Sequence, residues 1–250
     1  MAGIDWAAYR SIVVLTGAGI SVASGLRPYR GPGGLWSEID VDGLVTAAAV
    51  VRDPRRVWAF HAEARRAVAA ASPNAAHLAL ARLEGRLGAG QSLVVLTQNI
   101  DGLHQRAGSR GVVELHGSLA RSRCTRGECG SPSVPAAGDE CPACARCGAW
   151  MRPDVVMFDE ALPVDAEWHS KRALRDCDLF LAVGTSGTVT PAANFVRSAR
   201  YAGARTVLIN LEPMSPRNPE FMEELPGRAE EVRRSTATSA GPRRTKRMWL

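Results

Sequence analysis

The fold is indicated most clearly by the stretch SIVVLTGAGIS, residues 11–21. Its apolar first half is typical of a buried β-strand, and Gly17-Ala18-Gly19 is typical of a tight turn. Because glycine has no side chain, backbone N–H groups in such a turn can come close to an anionic ligand. The third glycine of the dinucleotide-binding fingerprint is missing, since Val22 occupies that place. The turn alone therefore fits either a phosphate-binding loop or a plain turn.

Later segments repeat this pattern of an apolar run that ends in small or polar residues. The runs cover residues 92–97, 112–115, 179–183 and 206–209. The residues that follow them are Gln98, Asn99 and Asp101, then His116, then Gly184, Thr185 and Ser186, and finally Asn210. In an open parallel sheet, ligands bind in the crevice outside the carboxyl ends of the strands. The sequence therefore predicts an α/β fold, with a Rossmann-like parallel sheet flanked by helices and one cleft lined by these residues.

Five of the six cysteines lie close together in the chain. They are Cys124, Cys129, Cys141, Cys144 and Cys147. Short-spaced cysteines on both sides of a loop are typical of a structural zinc site with four thiolate ligands. Disulfides are the main alternative, and zinc is favoured because the N-terminus does not resemble a secretion signal. Spacing alone leaves open which four of the five thiols bind the metal.

Composition and charge limit the functional classes. The chain has 250 residues, of which 46% are hydrophobic, so it can bury a substantial core. No apolar run approaches the length of a membrane span, and we expect a cytoplasmic protein without membrane contacts. The net charge of +6 equals the six basic residues of segment 232–250, which contains no acid, so residues 1–231 sum to zero. Nucleic-acid binding by the core is therefore disfavoured, and the basic tail is predicted to be disordered, with weak electrostatic contacts as its alternative role.

Ordered motifs make the chain resemble the sirtuins, a family of NAD-dependent protein-lysine deacylases. They are Gly17-Ala18-Gly19-Ile20-Ser21, Thr97-Gln98-Asn99-Ile100-Asp101, His116-Gly117, Arg152-Pro153-Asp154-Val155-Val156-Met157-Phe158 and Gly184-Thr185-Ser186. The resemblance extends from about residue 11 to about residue 231. It implies that an acyl-lysine peptide or protein, NAD and water react to give lysine, nicotinamide and O-acyl-ADP-ribose.

The resemblance also assigns site residues. His116 is expected to be the general base, and Asn99 is expected to act beside it. NAD contacts are expected from Gly17, Ala18, Gly19, Ser21, Tyr29, Arg30, Gln98, Asn99, Ile100, Asp101, Gly184, Thr185, Ser186, Asn210, Leu211 and Glu212. The acyl-lysine is expected to bind along Val155, Val156, Met157 and Phe158, with a peptide added as a strand. The zinc ligands chosen by resemblance are Cys124, Cys129, Cys144 and Cys147, with Cys141 as a spare thiol.

One departure concerns the acyl group. Residues 27–36 resemble the bacterial and mitochondrial branch that removes acidic acyl groups, and that branch carries Tyr-x-x-Arg in the helix reached here at Phe60. Alignment on Phe60 puts His61 at the tyrosine and Ala64 at the arginine. His61 and Arg65 are therefore only candidate acyl contacts, with Arg65 depending on a shifted helix register. We expect deacetylation or removal of another neutral acyl group, with desuccinylation as the alternative.

Two other functions share the predicted NAD site. They are protein ADP-ribosylation and non-catalytic binding of NAD or ADP-ribose. The intact set of Gln98, Asn99, Asp101 and His116 disfavours a non-catalytic binder, whereas only the products distinguish the two enzymes.

The predicted domain organisation has four parts. Residues 1–26, 88–120 and 153–231 form the Rossmann-like NAD-binding domain, and residues 27–87 form a helical insertion that carries the cofactor loop. Residues 121–152 form the zinc-binding module, and residues 232–250 form the basic tail.

Overall fold

The computed structural model describes residues 4–29 and 33–231. Its strands are β1 (Ser11–Thr16), β2 (Ser92–Thr97), β3 (Val112–Glu114), β4 (Gly117–Cys124), β5 (Val134–Pro135), β6 (Met151–Val155), β7 (Leu179–Val183), β8 (Arg205–Asn210) and β9 (Glu223–Pro226). The predicted phosphate contact Arg30 and the predicted basic tail 232–250 lie outside the described residues.

The larger sheet confirms the predicted fold class. It has the strand order β3-β2-β1-β7-β8-β9, and all its neighbouring strands are parallel. Counted along the chain, these six strands have the order 3-2-1-4-5-6 of the Rossmann fold. The order reverses between β1 and β7, and Thr16 at the end of β1 pairs with both Thr97 and Val183. The crevice of the sheet therefore opens at the residues that follow β1, β2 and β7.

The helices are α1 (Val41–Leu44), α2 (Ala47–Arg52), α3 (Pro54–Ala70), α4 (Ala75–Glu84), α5 (Leu103–Arg106), α6 (Val164–Arg175) and α7 (Phe195–Tyr201). The start of α3 follows from its sequence: the Asp53 side chain accepts the backbone N–H of Arg56, and Pro54 occupies the first helical position. Across the described ranges, no helix combines the length and the apolar character that spanning a bilayer requires.

The larger sheet is apolar on both faces, as expected for parallel strands covered by helices. On one face, Val13 and Phe180 pack in a core with Leu174 of α6 and Val196 of α7. On the other face, Ile12, Val14 and Leu181 pack with Ala76 and Leu80 of α4. Adjacent residues of β1 thus belong to opposite layers, because side chains alternate along a strand.

A smaller unit stands beside the carboxyl end of the sheet. Its antiparallel sheet has the order β5-β4-β6. Helix α3 connects two cores of this unit: Val57 packs with Val155 and Met157, whereas Trp58 packs with the cysteine-rich segment. The helix therefore holds the apolar segment after β6 and the cysteine module together.

One predicted domain boundary differs from the observed packing. The insertion was expected to include everything from residue 27 to residue 87, but α4 packs on the large sheet through Ala76 and Leu80. Helical periodicity could not show this, because an amphipathic helix indicates that one face is buried but not the surface that buries it. The helices that belong to the smaller unit by their packing are α1, α2 and α3.

The core of the sheet gives a stability prediction. Phe180, the second residue of β7, is fully buried. We expect Phe180→Ala to lower the free energy of unfolding by about 3–5 kcal/mol, because it removes buried apolar surface and leaves a cavity. Tyr201→Ala is the matched control, because this side chain is 97% exposed, and we expect a change within about 0.5 kcal/mol. Urea denaturation followed by circular dichroism measures both, and equal effects would contradict the assigned core.

Candidate active site and metal centre

A cavity of about 640 Å³ lies between the carboxyl end of the large sheet and the smaller unit. It brings together most of the predicted site residues, although they come from distant parts of the chain. Those on its wall are Gly17, Ala18, Gly19, Tyr29, His61, Gln98, Asn99, Ile100, His116, Val155, Val156, Met157, Phe158, Gly184, Thr185, Ser186, Asn210, Leu211 and Glu212. Ser21, Asp101 and Arg65 are not on the wall.

The glycine turn after β1 is held against the end of β7. The Gly17 N–H donates to Val183 O at 3.1 Å, and the Gly19 N–H donates to Gly184 O at 2.9 Å. A Cβ atom on Gly17 or Gly19 would come within 2.7 Å of the Gly184 backbone. Gly184 itself has a φ of +60°, a conformation that favours glycine. The two loops can meet this closely only because no side chain separates them.

A polar network supports the loop after β2. The Asn99 side-chain amide donates to Gly17 O at 3.1 Å and to Ser21 Oγ at 3.2 Å. Ser21 Oγ in turn donates to the Asp101 carboxylate at 2.7 Å. Ser21 and Asp101 therefore lie behind the wall and orient Asn99, while Gln98 donates to Thr185 Oγ1 at 2.9 Å.

Tyr29 forms part of the cavity wall. Its ring stacks on the ring of Trp36, with the two centroids 4.8 Å apart. The ring centroids of Trp36 and Phe158 are in turn 5.6 Å apart. Burial, together with the Asp101 carboxylate, raises the pKa of Tyr29, so its hydroxyl stays protonated at neutral pH. The sequence indicated Tyr29 by resemblance, but gave no signal that Trp36 and Leu35 would share this wall.

His116 lies between the sheet and the smaller unit. Its Nδ1 is 3.0 Å from Gln98 O. Because a carbonyl oxygen only accepts, Nδ1 must carry the proton, and Nε2 is left with a free lone pair. Burial lowers the pKa of His116, so the neutral ring is favoured. Gly117 follows with a φ of +78°, and a Cβ there would come within 2.1 Å of Asp154 O, which explains glycine beside this histidine.

The segment after β6 forms the second long wall. The Val156 N–H donates to His116 O at 2.9 Å, and the Phe158 N–H donates to Val45 O at 2.8 Å. The Met157 N–H donates to the Glu160 carboxylate at 2.9 Å. The Arg152 guanidinium donates two hydrogen bonds to the Glu160 carboxylate, from Nη1 to Oε1 at 2.5 Å and from Nη2 to Oε2 at 2.9 Å. The predicted substrate segment is therefore fixed on one side to the His116 loop and on the other to a buried arginine.

The two candidate acyl contacts on α3, His61 and Arg65, lie in different surroundings. His61 lines the cavity with Phe60 and Ala64, which the sequence did not assign. Arg65 turns away: its guanidinium donates to Gly138 O at 3.0 Å and lies 4.3 Å over the ring of Trp58. The helix register is not shifted in the way that would bring Arg65 to the cavity.

At the other end of the cavity, loops from β7, β8 and β9 meet. The Asn210 side chain donates to Thr185 O at 2.8 Å, and the Gly227 N–H donates to Asn210 O at 2.8 Å. Residues 227–230 also line the cavity, and the sequence reasoning missed them. A usable signal was present, because Gly227 follows a short strand in the way that Gly184 follows β7.

The four cysteines predicted as zinc ligands meet in the smaller unit. The sulfur atoms of Cys124, Cys129, Cys144 and Cys147 all lie within 4.8 Å of one another. Cys124 Sγ is 3.5 Å from Cys147 Sγ, and Cys129 Sγ is 3.9 Å from Cys144 Sγ. Zn–S bonds of about 2.3 Å in a tetrahedron require sulfur separations of about 3.8 Å, so the site fits zinc. All six cysteines are free thiols, which excludes the disulfide alternative here.

Cys141 is separate from this cluster. Its thiol lies 3.2 Å from Met151 O, and the residue packs at the edge of the core around Trp58. With four thiolates around one position, the cluster has no place for a substrate, which is typical of a structural metal site. The structure thus selects the same four of the five thiols as the sequence resemblance did.

Comparisons with known proteins agree with this architecture. A profile of the Sir2 family matches residues 17–191. An NAD-dependent protein deacylase 2 of Pyrobaculum aerophilum is 46% identical over 242 residues, 93% of this chain and 95% of that protein. A substituted Sir2 homologue in complex with ADP-ribose has a TM-score of 0.83 and 37% identity, over 90% of each chain. A Sir2 complex with a p53 peptide and NAD+ has a TM-score of 0.77 and 32% identity, over 91% and 92%. The chain belongs to the Sir2 family, the sirtuins.

Zinc content tests the metal centre. We expect Cys124→Ser and Cys144→Ser to lower bound zinc from about one atom per chain to nearly none, because each removes a ligand of a four-thiolate site. Cys141→Ser is the matched control and should keep its zinc, since its thiol points elsewhere. Elemental analysis of the purified variants measures the difference. Loss of zinc from Cys141→Ser with retention in Cys124→Ser would refute this ligand set.

Proposed function

We propose that this chain is an NAD-dependent protein-lysine deacylase that prefers acetyl or other neutral acyl groups. The reaction consumes acyl-lysine, NAD and one water molecule, and it releases lysine, nicotinamide and O-acyl-ADP-ribose. Membership of the Sir2 family supports the reaction class, as does the deacylase name of the relative from Pyrobaculum aerophilum. The roles given below to individual residues belong to this proposal.

The observation that carries the proposal is the position of His116. Its ring contacts Gln98 of the sheet loops, and its backbone contacts Val156 of the substrate wall. A base placed there reaches both the nucleotide and the acyl-lysine. When bound, NAD supplies an electrophilic ribose carbon and nicotinamide as its leaving group.

The residues of this chain bind and orient the two substrates, move a proton and exclude water. The glycine turn presents backbone N–H groups to the phosphates, and Asn99 orients the ribose and the attacking acyl oxygen. His116 Nε2 would accept a proton from a ribose hydroxyl of bound NAD, which would make that hydroxyl the nucleophile. Ile100 and Phe158 exclude water from the apolar part of the cavity.

The preference for neutral acyl groups follows from charge. Among the described residues of the wall, Arg228 is the only arginine or lysine, and it lies beside Gly227 at the nucleotide end. Arg65 and Arg152 are engaged by Gly138 and Glu160. A succinyl carboxylate left without a cation would lose about 2–5 kcal/mol of binding. Desuccinylation is therefore the weaker alternative.

The remaining parts of the proposal concern metal and partners. The four-cysteine site holds a structural zinc ion and takes no part in the reaction. Acyl-lysine peptides bind as an added strand beside the Val155–Phe158 segment, in keeping with the p53 peptide bound to a Sir2 protein. The cytoplasmic location and the weak contacts of the basic tail stay predictions.

Product identity tests the reaction. The protein is incubated with NAD and matched acetyl-lysine and succinyl-lysine peptides, and the products are identified by mass spectrometry. We expect O-acetyl-ADP-ribose, with more product from the acetyl peptide. His116→Ala should lower the rate by about 10²–10⁴-fold, as expected for loss of a general base. His169→Ala, the same change at an exposed position on α6, should leave the rate unchanged.

Two results would reject this proposal. If ADP-ribose became attached to protein while both peptides stayed intact, the ADP-ribosyltransferase alternative would replace it. If NAD bound but no product of any kind formed, the chain would be a non-catalytic NAD or ADP-ribose binding protein.

The pH dependence gives a second test. Burial lowers the pKa of His116 below the ordinary histidine value of about 6.5. The neutral base therefore persists at neutral pH and is lost only as the pH falls through this lowered pKa. We expect kcat/KM for the acetyl peptide, which reports the free enzyme, to be flat above pH 7 and to fall on the acidic side, with a midpoint below pH 6.5. Recovery at pH 7.5 controls for unfolding, and a midpoint above pH 7 would contradict the assigned environment.

A further inference from the structure

A second histidine faces the cavity and has no role in the reaction proposed above. His61 lies on α3, is 4% exposed and lines the same wall as Phe60. Ala64, one helical turn further on, leaves space beside it. Ala64 also packs with the core that contains Met157, and Ile100 packs against the same core. His61 therefore lies at the end of the cavity where the acyl chain would bind.

The proton of His61 can be placed from its hydrogen bond. Nδ1 is 2.8 Å from Val57 O, and a carbonyl oxygen can only accept. Nδ1 therefore donates, and the neutral ring has its lone pair at Nε2. Burial lowers the pKa of His61 to about 4, and the charges of Arg65 and Arg152 act in the same direction. The ring is neutral at physiological pH.

Nε2 is an acceptor without a donor. Among the described residues, no side chain or backbone group forms a hydrogen bond with it. The two nearby arginines are used elsewhere, since Arg65 donates to Gly138 O and Arg152 donates to Glu160. Nε2 does not belong to the side-chain atoms that are sealed in the interior without a partner, so it is open to the cavity that His61 lines. Its donor is therefore water in the free protein, or a group of whatever molecule displaces that water from this part of the cavity.

We propose that His61 makes this enzyme selective for acyl-lysines whose acyl chain carries a hydroxyl group, which donates to Nε2. The inference rests on the proposed deacylase function and narrows its substrate class. A plain alkyl chain would leave the acceptor unpaired. A carboxylate has no proton to donate, and its oxygen lone pairs would repel the lone pair of Nε2. It would also be repelled by Asp159 and Glu160, which line the cavity. A hydroxyl satisfies the acceptor without bringing a charge.

Matched pairs of peptides test this selectivity. Each pair differs only by one hydroxyl: propionyl against 2-hydroxypropionyl, butyryl against 3-hydroxybutyryl, and butyryl against 4-hydroxybutyryl. For at least one hydroxyl position, we expect kcat/KM to be higher for the hydroxyacyl peptide on the order of 3- to 10-fold, as expected for one net hydrogen bond. Each ratio is measured on one enzyme preparation, so differences in active fraction cancel.

Two variants identify the group responsible. His61→Phe keeps a ring of similar size and removes the acceptor, so the ratio should fall to about one or below. His61→Gln restores an acceptor through its amide oxygen and should recover part of the preference. His169→Phe, the same change on the exposed α6 surface, should keep the wild-type ratio.

A measurement on the unaltered protein covers the case in which His61→Phe fails to fold. In protein labelled with 15N-histidine, the Nε2 resonance of His61 should lie at the position of a hydrogen-bonded nitrogen with the hydroxyacyl peptide and at that of an unpaired nitrogen with the matched acyl peptide. Ratios near one for all three pairs, ratios that survive His61→Phe, or the same Nε2 resonance in both complexes would each overturn the inference. In those cases, continued turnover of the acetyl peptide would leave the proposed function standing. Absence of turnover with every acyl peptide would instead reject the function itself.

Discussion

The close approach of two backbone loops at the point where the strand order reverses is the constraint on which the site depends. Gly19 donates to Gly184 O, and a Cβ atom on Gly17, Gly19 or Gly184 would come within 3 Å of the opposite backbone. This contact sets the width of the crevice between β1 and β7. Since parallel strands end together, the loops after β2 and β8 open into the same crevice.

Behind that crevice, the buried ring of His104 is held in its neutral form. His104 lies buried with its Nε2 3.0 Å from Thr16 Oγ1, and its ring packs edge-on against His77. Burial, and to a smaller extent His77, lowers the pKa of His104 to about 3. A charged His104 ring would lack a counterion in a low-dielectric region, so the neutral ring is the form that fits beside Thr16 at the end of β1.

Helix α3 joins the metal centre to the substrate end of the cavity. On one side, Arg55 lies over the ring of Trp150, and Arg66 forms an ion pair with Asp139. On the other side, Phe60 and His61 face the cavity. The cysteine-rich module and the cavity therefore share one helix, and the packing of the module on α3 helps to fix the position of Phe60 and His61.

How far the sequence could predict the site differs between residues. The sequence could predict the residues at strand ends, because an apolar run followed by polar residues indicates where a buried strand ends. These residues are Gln98, Asn99, His116 and Asn210. Arg65 shows the limit, because one position along a helix turns a side chain by about 100° and sends it to the zinc module instead of the cavity. Trp36 gave no local signal, since nothing in the sequence around it shows which surface its ring meets, whereas residues 227–230 were missed although Gly227 follows a short strand.

The sequence by itself determined the parallel sheet, the order of its polar strand ends and the thiols available to a metal. These follow from periodicity, glycine positions and ligand chemistry, which are local properties. Only the tertiary structure decided that α4 belongs to the large sheet, that four of five thiols converge, and that His61 faces the cavity with a free acceptor. Those outcomes depend on packing between segments far apart in the chain, because that packing decides which surface each side chain meets and how deeply it is buried.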